Sequence, residues 1–213
     1  MKRLVACIAL FAIAPVVVAA DWPQFRGPAG SGVADDQKPP TKFGPTENLA
    51  WKVAVPPGAS SPIVVGDRIF LTAFENDKLL TLCYSRTDGK ELWRSTAPAK
   101  KIEAFHPTEG SPAASTPASD GKHIVVYFGS CGLICYDLDG KEQWKFELPV
   151  AETNNGFGTG TSPLIVDGVV FLNRDLMKDS ALFAVDVATG SQKWKTERPK
   201  VVTGFGTPTV WEA

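Results

Sequence analysis

Short apolar runs separated by glycine-rich or aspartate-rich turns recur at a regular interval along the chain. Ile69-Phe70-Leu71, Ile124-Val125-Val126 and Val169-Val170-Phe171 each follow a turn signal: Gly66-Asp67, Asp120-Gly121 and Asp167-Gly168. Such dipeptides between branched apolar residues mark hairpins. The run before each turn opens on Ser61-Pro62, Thr116-Pro117 or Ser162-Pro163, and Thr207-Pro208 opens a further one. A third run follows (Leu79 to Tyr84, Leu133 to Tyr136, Ala181 to Val185), then a glycine turn, then a segment led by tryptophan. The pattern predicts a four-stranded meander per unit. Beyond the first residues of the chain, no stretch sustains a helical period.

Trp51, Trp93, Trp144 and Trp194 each stand in the pattern W-[KR]-x-x-x-P, and Gly89, Gly140 and Gly190 form the turns before the last three. Those three tryptophans recur about every 50 residues, a period that belongs to propeller blades. Glycine supplies the positive φ of a tight turn, and tryptophan on one face of an outer strand fills the wedge between adjacent blades. The following Lys or Arg then points to the opposite face, and the proline ends the strand. The expectation is an all-β, incomplete β-propeller of four-stranded antiparallel blades. It has a lone N-terminal outer strand at 47–56, blades at about 57–98, 111–150 and 156–199, and the start of the next at 204–213. The remaining blades of a closed ring are expected further along the full-length protein.

Residues 1–20 read as a signal peptide: Met1-Lys2-Arg3 is basic, Leu4 to Val18 is apolar, and Val18-Ala19-Ala20 suits cleavage. The expected location is therefore periplasmic or extracellular, with Asp21 as the mature N-terminus, 21–46 as an N-terminal extension and no transmembrane segment after signal removal. The lipobox-like Leu4-Val5-Ala6-Cys7 is accidental, because the apolar run follows the cysteine. With 22 basic and 23 acidic residues and no block of like charge, nucleic acid is not an expected partner. Cys83 and Cys135 share a repeat position with Ala184, which reads as a small buried site rather than a disulfide pair. Cys131 and Cys135 are too far apart for a bridge in an extended strand, though a turn at Gly132 brings them closer.

Trp-ended repeats with Asp88-Gly89-Lys90-Glu91-Leu92-Trp93 and Thr189-Gly190 turns resemble the PQQ-like, quinoprotein-type propeller repeat. Asp21-Trp22-Pro23-Gln24-Phe25-Arg26-Gly27-Pro28 is similar to the mature N-terminus of bacterial PQQ-binding-like β-propeller repeat proteins. The resemblance covers nearly all of residues 21–213 and implies one of two roles. One is a non-catalytic binding or assembly scaffold with protein partners and no cofactor, similar to the propeller lipoprotein of the outer-membrane β-barrel assembly machinery. The other is a periplasmic quinoprotein dehydrogenase that binds PQQ with calcium. The second role requires a quinone pocket, oxygen ligands for Ca²⁺ and a catalytic carboxylate, and many such enzymes carry adjacent cysteines. No Cys-Cys pair and no matching calcium constellation is legible, so the expected role is the scaffold, with no catalytic residue and no metal ligand assigned.

Gly156-Phe157-Gly158-Thr159-Gly160 invites a phosphate-loop reading, but it has no strand–helix context and recurs as Gly204-Phe205-Gly206-Thr207, so it reads as a turn leading into each innermost strand. His106 and Glu109 lie close in sequence without a second His or a Cys, a weak metal pattern. Together with Asn154 and Asn155 before the following blade, they form a possible partner or ligand surface; a solvated loop is the other reading. Arg174, in Asn173-Arg174-Asp175, either presents a polar group at the channel or belongs to a turn. Arg26 reads as packing beside Trp22 and Phe25, with anion binding as the alternative.

Overall fold

The computed structural model describes residues 20–34 and 37–211; the expected signal peptide at 1–20, apart from Ala20, lies outside the described residues. Twelve strands form three antiparallel four-stranded sheets, each a meander in chain order. The first contains β1 (Ile63–Val65), β2 (Arg68–Glu75), β3 (Lys78–Ser85) and β4 (Glu91–Thr96). The second contains β5 (Ala118–Ser119), β6 (His123–Phe128), β7 (Gly132–Asp137) and β8 (Glu142–Glu147). The third contains β9 (Leu164–Val166), β10 (Val169–Arg174), β11 (Ala181–Asp186) and β12 (Gln192–Glu197). These are the blades of an incomplete β-propeller.

Apolar side chains on facing sheets fill the seams. Phe70, Leu79 and Cys83 of the first sheet meet Ile124, Val126, Ile134 and Tyr136 of the second in one cluster. Val125, Leu133 and Cys135 meet Val170, Leu172 and Val185 of the third in another. Adjacent residues of one strand thus serve opposite seams, as the two-residue period of a strand requires.

The tryptophans act across these seams. Adding a Cβ to Gly89, Gly140 or Gly190 would bring it 2.6 Å from the indole of Trp51, Trp93 or Trp144, respectively. All three glycines have positive φ, so the position demands glycine for both its backbone and its neighbour. Each indole N–H also donates to a carbonyl in the turn it covers: Trp51 to Arg86 at 2.8 Å, Trp93 to Leu138 at 2.9 Å and Trp144 to Val187 at 2.8 Å. A β-bulge in every blade places the tryptophan opposite a small residue. Trp93, Trp144 and Trp194 pair with Cys83, Cys135 and Ala184, and the ladder slips at the next position. Cys83, Cys131 and Cys135 are free. Trp194 is 41% exposed, with Phe171 as its ring neighbour.

A second device joins the blades at the axis. The Thr116 hydroxyl oxygen accepts from the Ser61 N–H at 3.0 Å, the Ser162 hydroxyl oxygen from the Thr116 N–H at 3.0 Å, and the Thr207 hydroxyl oxygen from the Ser162 N–H at 3.1 Å. The Ser/Thr-Pro dipeptide that opens each unit is therefore a link to the preceding unit. These bonds bring the beginnings of successive blades side by side, while β12 lies exposed along its whole length.

Residues 47–56, expected as a lone outer strand, form no ladder beyond a bridge between Gly44 and Glu47, because no neighbouring strand offers its backbone. Trp51 still docks on the first blade as its counterparts dock on theirs. Residues 204–211 likewise carry no ladder, and Thr207 holds them to the third blade.

Candidate functional site

In each meander the turns between first and second strands and between third and fourth lie at one end. The turns between second and third strands, and the connectors from one blade to the next, lie at the other. At the turn end the N-terminal extension reaches the axis. Trp22 exchanges two backbone hydrogen bonds with Val64 of β1, at 2.8 and 3.0 Å, and the Asp21 carboxylate accepts from the Gly66 N–H at 2.8 Å. The Pro23 carbonyl accepts from the Ser119 N–H of β5 at 2.8 Å, and the Ala29 carbonyl from the Thr209 hydroxyl at 3.1 Å. One short segment thus touches the inner edges of the first two blades and the start of the unit after the third. Arg26 lies exposed in the left-handed region, its guanidinium turned back to the Ser31 carbonyl.

The connector end holds a cavity of about 220 Å³. Its lining comes from residues that precede the inner strands β1, β5 and β9, namely Ala59; Glu109, Gly110, Ser111 and Ala114; and Phe157, Gly158, Thr159 and Gly160; and from Phe205 at the start of the next unit. The connectors stack on one another to shape it. A Cβ on Gly110 would lie 2.4 Å from the Phe157 carbonyl oxygen, so glycine is what permits that approach. His106 and Phe157 stack with ring centroids 5.2 Å apart and planes 16° from parallel. The imidazole Nδ1 accepts the backbone N–H of Glu109 at 3.2 Å, and the Asn154 N–H donates to the Thr203 hydroxyl at 2.8 Å.

Of the residues singled out from sequence, His106, Glu109, Asn154 and Asn155 lie in these connectors. Glu109, Asn154 and Asn155 are exposed, and Glu109 lines the cavity. Arg174 is placed differently: it is only 4% exposed and is not a surface residue. Its Nε donates to the Tyr127 hydroxyl at 3.2 Å and its Nη2 to the Pro149 carbonyl, so the guanidinium is spent joining the second and third blades. The neighbouring Asp175 is also buried and pairs with Arg198 at 2.9 Å.

Glu103 was not singled out from sequence, because a lone acidic residue in a loop reads as solvated. It is 2% exposed, behind the cavity wall. One carboxyl oxygen accepts the Thr159 hydroxyl at 2.8 Å, and the other has no hydrogen-bond partner. Gly129 makes room for the group, since a Cβ there would stand 2.3 Å from Oε2. Burial pushes the carboxyl up to about 7 from its ordinary 4.5, against the pull of Thr159 and of the Arg174 charge. Burial also pushes the Tyr127 hydroxyl up to about 12. Phe157 and Phe205 belong to recurring turns in the sequence, and it is the convergence of the connectors that brings their rings to the cavity.

A second cleft, of about 240 Å³, lies at the rim between Lys100, Lys101, Lys145 and Glu147. Cys131 lines it, and burial pushes that thiol up to about 11, which keeps it protonated and unreactive near neutrality. Among the described residues, no three His, Cys, Asp or Glu side chains converge as a metal site.

A family model described as outer membrane protein assembly factor BamB, of the PQQ-like repeat class, matches residues 80–210. The chain belongs to this family. Solved PQQ-like propellers agree in fold. Quinohemoprotein alcohol dehydrogenase from Comamonas testosteroni superposes with a TM-score of 0.59 at 17% identity, over 85% of this chain and 28% of that one. A europium-containing methanol dehydrogenase gives 0.52 at 19% identity, over 64% of this chain and 24% of that one. BamB from Moraxella catarrhalis gives 0.50 at 16% identity, over 69% of this chain and 39% of that one. The chain therefore spans well under half the length of these relatives. At such identities the likeness shows the PQQ-like fold alone. No curated protein matches the chain by sequence.

Proposed function

We propose that this PQQ-like propeller is an exported, non-catalytic binding or assembly scaffold that engages a protein partner through its connector face. The observation that carries the reading is the charge of the axial cavity. Pyrroloquinoline quinone bears three carboxyl groups, whereas the one charged side chain lining this cavity is a carboxylate, Glu109. A tri-anionic cofactor meets like charge there, and among the described residues no Lys or Arg lines the cavity to offset it. Among the described residues no three acidic side chains converge to offer calcium a carboxylate set. The recurring polar residues at the axis are occupied with joining blades. Among the described residues no helix is long and apolar enough to cross a membrane, and the basic and apolar leader supports export.

The alternative, a quinone-dependent dehydrogenase, is tested on the full-length protein supplied with pyrroloquinoline quinone and Ca²⁺. Calorimetry reads binding, and an artificial electron acceptor reads oxidation of alcohols and aldoses. Neither stoichiometric binding nor turnover is expected. Quinone binding with turnover overturns the scaffold reading.

A further inference from the structure

The axial cavity has a chemical character that narrows what it accepts. We propose that it takes an organic cation carried on an apolar stem, an arginine or lysine side chain presented by a partner protein, with Glu109 as counter-charge and the rings of Phe157 and Phe205 as walls. This rests on the scaffold reading and specifies its ligand.

Glu109 is exposed and enters none of the ion pairs among the described residues, so its charge is available to a ligand. Its place is fixed, because its N–H and that of Thr108 both point to the His106 imidazole, at 3.2 and 3.4 Å. The same imidazole stacks on Phe157, so carboxylate and ring are set by one anchor. Phe157 and Phe205 are 37% and 51% exposed, so both rings are open to contact from the cavity. An aromatic face is the negative pole of the ring quadrupole, and a cation over it gains most where water is partly excluded. Glycine sets the Phe205 ring close to the wall, since a Cβ on Gly160 would lie 3.2 Å from it.

Size selects among cations. About 220 Å³ is below the roughly 300–1,000 Å³ of pockets that enclose drug-sized ligands, and it suits one long side chain. A bare metal ion gains little from phenyl walls and finds a single carboxylate. An anion is repelled by that same carboxylate. A guanidinium or ammonium on a methylene stem matches both parts of the lining.

The test uses the full-length protein. Ring resonances of Phe157 and Phe205, and calorimetry, are followed on addition of N-acetyl-arginine amide, of its neutral analogue N-acetyl-citrulline amide, and of a short peptide with one central arginine flanked by alanines. The arginine amide should bind about tenfold more tightly than citrulline amide, and Glu109→Gln and Phe157→Leu should each remove most of that preference. The peptide should bind more tightly than the free amide, since the partner's backbone also meets the connectors. Equal binding of arginine and citrulline amides, or no effect of Glu109→Gln, overturns the cationic ligand. Equal binding of amide and peptide overturns the protein source. Either failure leaves the scaffold reading standing, which falls only on quinone-dependent turnover.

Discussion

Replacing Glu103 with glutamine changes the charge of one buried group and little of its shape. In the folded chain burial holds the carboxyl at about 7, against 4.5 for the ordinary group. A carboxyl with a raised folded value binds its proton more tightly when folded. Its favourable contribution is therefore complete below about 4.5, declines as pH rises, and is lost above about 7. At about 1.36 kcal/mol per unit, this gap makes folding about 3 kcal/mol less favourable at pH ~8 than at pH ~4 on account of Glu103 alone. Glu103→Gln has no such dependence, while the other titrating groups are common to both proteins. Urea unfolding followed by tryptophan fluorescence, from pH ~5 to pH ~8, gives the difference between the two stability curves. The variant should gain on the wild type steadily across that range. Any constant offset reports how the amide fits beside Thr159 and Gly129, whereas the slope reports the charge. Parallel curves would refute the argument, because they require Glu103 to titrate alike in the folded and unfolded chains.

Ser162→Ala removes the acceptor of the buried Thr116 N–H and should cost about 1–3 kcal/mol in urea unfolding, whereas Ser162→Thr, the residue found at 116 and 207, should cost much less. Gly140→Ala should be far more destabilising than Gly121→Ala in thermal unfolding. Both positions have positive φ, 84° and 89°, but only at Gly140 does the new Cβ meet an indole, 2.6 Å away, while nothing lies within 4 Å at Gly121. Burial holds the Cys83 and Cys135 thiols at about 12, so a thiol reagent near neutral pH should label them only after denaturant is added.

Much of the fold is legible because each recurring residue answers to one local requirement. The turn glycines show a need for positive φ, the tryptophans a wedge to fill, and the aspartate-glycine pairs a hairpin. The Ser/Thr-Pro dipeptides were visible as a repeat, yet their role was not, because a hydroxyl that accepts from the preceding blade is a contact between residues some 45 positions apart. The same limit hid Glu103: its burial depends on Gly129 and Thr159, which belong to two other segments. Arg174 shows the reverse error. A charged residue at the end of a strand reads as exposed, but Tyr127 and the Pro149 carbonyl from the neighbouring blade supply what its burial requires. Of the site, the connector residues His106 and Glu109 were visible as departures from the repeat, while Phe157 and Phe205 were concealed by belonging to it.

Departures from the repeat are not scattered. Counting from the residue that pairs with Cys83, Cys135 or Ala184, the second position toward the connector end is Thr72, Tyr127 and Asn173 in the three blades. No two are alike, although the residue before each is a branched aliphatic: Leu71, Val126 and Leu172. Thr72 donates to the carbonyls of Ala113 and Ser115 at 3.2 and 2.9 Å, and Asn173 donates to the Gly206 carbonyl at 3.3 Å. Tyr127 instead accepts from Arg174. Thr72 and Asn173 therefore each hold a connector that borders the axial cavity, while Tyr127 holds the end of β10 in the neighbouring blade. A uniform repeat would give a symmetric opening with equivalent walls. Varying this position ties two connectors at different points, Thr72 holding the one that brings Glu109 to the cavity and Asn173 the one that brings Phe205. The turn end needs no such variation, because the segment around Trp22 already occupies its inner edge. Sequence change at Thr72 or Asn173 should therefore act on the course of a connector beside the cavity, whereas change at Tyr127 should act on the joint between the second and third blades.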